Sequence, residues 1–154
     1  MTPAFLAIGV VLPVLLGGFT YILWRDTGML MFVWAQDLGL MPTVMSLREW
    51  AAPARDSLPE WFLFSFPDGV WVFSCTAFFA RLWPDGPAWM RWGWISLGTV
   101  LAVGGEIGQL TPLVPGTFDV MDLVYYLSSA VGAYALAQWW PRSQRAEGAE
   151  PVPA

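Results

Sequence analysis

PAFLAIGVVLPVLLGGFTYILW, residues Pro3 to Trp24, contains no charged residue and stops at Arg25-Asp26. About 20 helical residues cross a hydrocarbon core about 30 Å thick, so this run is long enough to span a bilayer. A helix is the form to expect, because lipid offers no partner for unpaired backbone groups. The run also lacks the alternation of barrel strands. Met1 to Trp24 has no basic leader, too long an apolar stretch and no small-x-small cleavage site, so it reads as a retained first helix.

Three further runs have the same character. They extend from about Phe62 to Trp83, from Ala88 to Leu110 and from Phe118 to Trp140. The expected fold class is therefore all-α: an integral membrane four-helix bundle occupying residues 1–140, followed by a polar tail at 141–154 with no means of burying surface. Composition agrees. Of 154 residues 56% are hydrophobic and only 12% charged. That is more apolar surface than one soluble core of this size hides. Many of the 11 Trp, 10 Phe and 4 Tyr stand beside charges at the ends of the runs. Amphipathic rings settle in such places, at a membrane–water interface.

The connections are unequal. Trp83 to Pro87 is a tight turn rich in Pro and Gly, and Thr111 to Thr117 is a short stiff link. Arg25 to Trp61 is much longer. Within it Gly28 to Leu40 reads as a re-entrant or interfacial segment. Val44 to Arg55 reads as an interfacial helix, with Val44, Leu47 and Trp50 toward lipid and Arg48, Glu49 and Arg55 toward water. Arg81, Arg91, Arg142 and Arg145 on one side, against Arg25, Arg48 and Arg55 on the other, favour cytoplasmic termini. Small residues should set the packing: Gly104-x-x-x-Gly108 and Ser128-x-x-x-Gly132 permit close approach, and five glycines from Gly93 to Gly108 suggest a central third span. Pro13 with Gly17-Gly18 suggests a kink in the first.

Composition also excludes function classes. The net charge of −5, with no Lys and no Lys/Arg run, gives nucleic acid no footprint. Without histidine there is no Ser/His/Asp set, and one cysteine, Cys75 in an apolar run, reads as packing. No cofactor and no metal site is expected. An all-oxygen set would suit Ca²⁺ or Mg²⁺, but the spacing makes no known loop.

The informative polar residues share one end. The start of the second span, the end of the third and the start of the fourth lie at one membrane face whichever way the chain is inserted. That face gathers Asp68, Glu106, Gln109, Asp119 and Asp122. Glu106 and Gln109 are three apart, as are Asp119 and Asp122, so each pair shares a helix face. Ionisable groups inside a membrane cost about 2.5–3.5 kcal/mol at a helix centre, which makes them candidates for function. A structural role stands beside that reading: an acid at a helix N-terminus complements the dipole, and Asp119 or Asp68 suits it. Arg25, Arg48 and Arg55 lie on the same face and offer pairing.

Glu106-Ile-Gly-Gln109 followed by Phe118-Asp-Val-Met-Asp122 resembles the VanZ-like family of small multi-span bacterial membrane proteins. That family carries a Glu-x-x-Gln at the end of a span, a short link and an Asp opening the next, with small residues downstream that Ser129 and Gly132 match. Pro67-Asp68-Gly69 before Trp71 resembles a segment of its shorter relatives, so the likeness covers about Pro67 to Ala137. The link has Pro115-Gly116-Thr117 where the family commonly has an arginine, and Tyr126 stands near its asparagine. The resemblance implies a bacterial inner-membrane, multi-pass protein without catalytic residues. Its polar face would engage an envelope component or a partner protein. The alternative expectation is an accessory subunit of a larger energy-converting membrane complex, with membrane lipid and neighbouring subunits as partners. A transporter or enzyme acting on a lipid-linked substrate is the weakest reading, since no internal repeat and no nucleophile–base pair is present.

Overall fold

A computed structural model describes residues 1–83 and 85–141. Those residues form seven helices and no strand. Helix α1 is Pro3–Trp24, α2 Leu30–Asp37, α3 Met41–Ala51, α4 Glu60–Leu63, α5 Ser65–Leu82, α6 Ala88–Gly108 and α7 Val120–Trp139. The expected tail falls outside the described residues.

Local chemistry sets the ends. Thr2 caps α1, its hydroxyl accepting from the Phe5 N–H at 3.2 Å. Pro3 stands in the first turn, where its missing donor costs nothing. Pro13 does not break the helix. The turn before it, Ala7–Val11, widens to π-helix, and this is how the chain absorbs a proline without a backbone donor. The long connection is mostly helical. Gly39, at φ 69°, ends α2: the Leu40 N–H reaches the Ala35 carbonyl at 2.8 Å and the Gly39 N–H that of Gln36 at 3.0 Å. A 3₁₀ segment, Ala52–Ser57, follows α3.

Two helices, α1 and α7, are long and apolar enough to cross a membrane. They are also mostly uncovered, with 28% and 17% of their apolar windows buried. Helix α5 carries Asp68 and Arg81 near its ends and Ser74 and Thr76 within; α6 carries Arg91, Glu106 and three Trp, which lower its mean hydropathy.

Small residues make up much of the interior, beside a few large ones such as Phe5, Val72 and Ile95. Fully or nearly buried positions on the long helices include Gly17, Thr20, Gly69, Ser74, Thr76, Ala77, Ala80, Ala133 and Ala137. Many large aliphatic and aromatic side chains face outward: Leu15 and Phe19 of α1, Val100 and Leu101 of α6, Val124 and Val131 of α7.

Helix α5, not α6, is the centre. It packs most extensively on α7, then on α1 and then on α6. Its small residues permit this: a Cβ on Gly69 would stand 3.1 Å from Ser129 Oγ and 3.2 Å from Tyr125 Cβ, and Gly17 of α1 leaves room for the Trp71 indole. The glycines of α6 mostly face open space, Gly93, Gly104 and Gly105 among them, so the Gly104-x-x-x-Gly108 pair makes no helix interface. Only Gly98 of that helix receives a neighbouring helix, at Cys75.

Candidate functional site

Helix α1 ends and α5 begins side by side. Asp68, in the first turn of α5 and half-buried, accepts a hydrogen bond from the Tyr21 hydroxyl. The ring of Tyr21 stacks on Trp71 with centroids 5.4 Å apart, and the Arg25 guanidinium sits 4.9 Å from its centroid. Helical spacing explains the set. Tyr21 lies one turn before Arg25, the residue that follows α1, and Asp68 one turn before Trp71 on α5, so two short stacks meet.

The second half of the site joins α6 to α7. Glu106 is only 3% exposed, and its Oε1 accepts the Asp119 backbone N–H at 2.5 Å. Asp119 takes the N-cap position of α7, and its Oδ1 accepts the Met121 N–H at 2.8 Å. Two acids in series thus satisfy backbone donors where α7 begins, at the positive end of its dipole. Asp122 follows in the first turn. Its Oδ1 is buried and accepts no hydrogen bond from the described residues. Tyr126, one turn further and 6% exposed, lies within electrostatic reach of Asp68, Asp122, Glu106 and Tyr21. Glu106 is likewise within reach of Asp68, Asp119 and Asp122.

The structure therefore brings four of the five expected residues together. Gln109 is different. It caps α6 and its side chain packs over Gly116, where a Cβ would come within 2.6 Å of Gln109 Cδ. Gly116 has φ 136°, so both backbone and space require glycine there. Gln109 closes the link.

The arginines are also used differently from the expectation. Arg48 and Arg55 do not point simply into water. Arg48 Nη1 donates to the Ile22 carbonyl at 2.7 Å and Arg55 Nη1 to that of Trp24 at 2.9 Å, so both cap the C-terminus of α1. Arg25 alone of the three lies within reach of Asp68. Carboxylates this close, with few cations among them, favour a shared proton, a cation or a donor from outside. Among the described residues, no group of three or more His, Cys, Asp or Glu is arranged to hold a metal ion.

Sequence reasoning misses Tyr21 and Tyr126. The signals are present: Tyr21 is the one tyrosine of the first apolar run, a turn before Arg25, and Tyr126 is a turn after Asp122. Compared with known proteins, the chain matches no family model, no curated protein and no solved structure.

Proposed function

We propose that this chain is a four-span integral membrane protein of the VanZ-like kind, set in a bacterial inner membrane with both termini cytoplasmic. It is non-enzymatic, and its carboxylate-rich end engages a donor-bearing group of an envelope component or partner protein. What supports the four spans is the packing. Small and hydroxylated residues make up much of the interior while many Leu, Val, Phe and Trp side chains face out, which is how helices associate where the surroundings are as apolar as the side chains. In water the same surface would be a large exposed apolar patch.

The observation that carries the engagement is Asp122 Oδ1. Its neighbours are committed, Asp68 to Tyr21 and Glu106 to the start of α7, whereas this buried oxygen accepts no hydrogen bond from the described residues. A buried unsatisfied carboxylate oxygen costs more than about 1–3 kcal/mol, which an arriving donor removes. The test is purification of tagged protein from native membranes in mild detergent, comparing wild type with Asp122→Asn. The expected outcome is a stoichiometric companion that the variant loses while remaining folded. Recovery of the same material with both proteins, or of no companion with either, overturns the engagement.

A second reading makes the chain an accessory subunit of a larger membrane assembly. It is favoured by the outward tryptophans, Trp50, Trp89 and Trp139 being 79%, 75% and 83% exposed. Under it the companions are large membrane subunits in fixed ratio, and they survive Asp122→Asn because the tryptophan faces hold them.

A further inference from the structure

The end of α1, the end of α3 and the 3₁₀ segment after it border a cleft of about 790 Å³. That size falls within the roughly 300–1,000 Å³ of ligand pockets. Arg25, Arg48 and Arg55 line it together with Asp26, Glu49 and Met29. Three of the seven basic residues of the chain thus converge on one concavity. Their geometry is fixed beforehand. Arg48 and Arg55 are aimed by their bonds to the Ile22 and Trp24 carbonyls, and Arg48 also lies 5.5 Å from the Phe32 ring. Each of those bonds uses one nitrogen of a guanidinium, so most of the fork remains available. Of the two acids, Asp26 turns an oxygen onto its own Gly28 N–H at 2.7 Å, and Glu49 is exposed. Met29 leads straight from the cleft into α2, whose Leu30, Val33 and Trp34 are 61%, 51% and 59% exposed.

A cationic cleft opening beside an uncovered apolar helix fits one ligand chemistry, a phosphate carried on acyl chains. Resting on the four-span reading, we infer that this cleft seats the headgroup phosphate of an anionic phospholipid. Arg25, Arg48 and Arg55 supply bidentate donors, and the outward face of α2 lies along the chains. The site is distinct from the carboxylate cluster in sign and in residues, except that Arg25 borders both.

The experiment uses the full chain in mild detergent, with lipid retention read by native mass spectrometry for phosphatidylglycerol and phosphatidylcholine of equal chain length. Wild type is expected to retain the anionic lipid several-fold better. Arg48 and Arg55 also hold α1, so substitutions that spare both carry the test. Glu49→Gln removes a countercharge and should raise phosphatidylglycerol retention roughly fivefold, while Ala52→Glu adds an acid to the lining and should lower it by a similar factor. Equal retention of the two lipids, or no response to either substitution, overturns the inference. Displacement of phosphatidylglycerol by millimolar inorganic phosphate assigns the cleft to a free anion and also overturns it. Reporter fusions at Gly28, Gly86 and Gly116 test the span count separately. Gly28 and Gly116 on one side and Gly86 on the other support the four-span reading, and any other pattern removes both claims.

Discussion

Helix α7 is fastened at both ends by charged side chains from its neighbours, and the two fastenings have opposite sign. At its C-terminus, Arg81 of α5 donates through Nη1 to the carbonyls of Ala137 at 3.0 Å and Trp140 at 3.3 Å, and through Nη2 to that of Pro141 at 3.3 Å. At its N-terminus, Glu106 of α6 accepts the Asp119 N–H. Each charge complements the dipole at the end it meets. The ends differ in what is left over. Arg81 is spread over three carbonyls and lies 5.2 Å from the Phe5 ring, and Phe5 in turn meets Trp140 edge-on at 5.6 Å. That end is closed. The opposite end holds four carboxylates and two tyrosines, and one buried oxygen without a partner among the described residues. A fastening needs only enough charge to satisfy a helix terminus; groups in excess of that are available for something else.

The comparison can be broken most severely at Arg81. Arg81→Ala removes three charge-assisted bonds and is expected to cost about 3 kcal/mol, measured by denaturant titration in detergent. A loss below about 0.5 kcal/mol would mean the clamp contributes nothing. Glu106→Ala should cost less, about 2 kcal/mol, because it removes one charge-assisted bond and leaves the Asp119 N–H unpaired. The 20 residues of α7 separate the ends by about 30 Å. The double variant should therefore be additive to within about 0.5 kcal/mol. Strong coupling would show that the two ends act as one unit. The smallest effect belongs to Asp119→Ala, about 1 kcal/mol for a lost N-cap on an exposed residue. If it equalled Glu106→Ala, the two acids would be a single cap and the distinction between them would fail.

Legibility varies with the kind of signal. The long apolar runs are plain, and α1, α6 and α7 begin and end within a turn or so of the expected bounds. The second run reads as continuous from Phe62, whereas the chain breaks at Phe64 (φ −114°, ψ −54°) and separates α4 from α5. The signal is Pro67, in the first turn of α5, which has no N–H to bond the Leu63 carbonyl four residues back. Glycine count misleads the choice of central helix, because a glycine in a sequence does not reveal whether its bare face meets a neighbour. Gly69 does and Gly104 does not. The convergence of Asp68, Glu106, Asp119 and Asp122 follows from alternating helix directions alone, whereas the tyrosines among them do not.

By itself the sequence determined the helical class, the acid-rich end and the capping of α7 by Asp119. These depend on residue type and on spacing along one helix, where partners lie within a turn. Tertiary structure alone decided that α5 is central, that Arg48, Arg55 and Arg81 serve as helix caps, and that Asp122 buries an oxygen with no partner among the described residues. Each of these depends on which faces of distant segments meet, and that is settled by the packing of small residues between helices, a property no single stretch of chain contains.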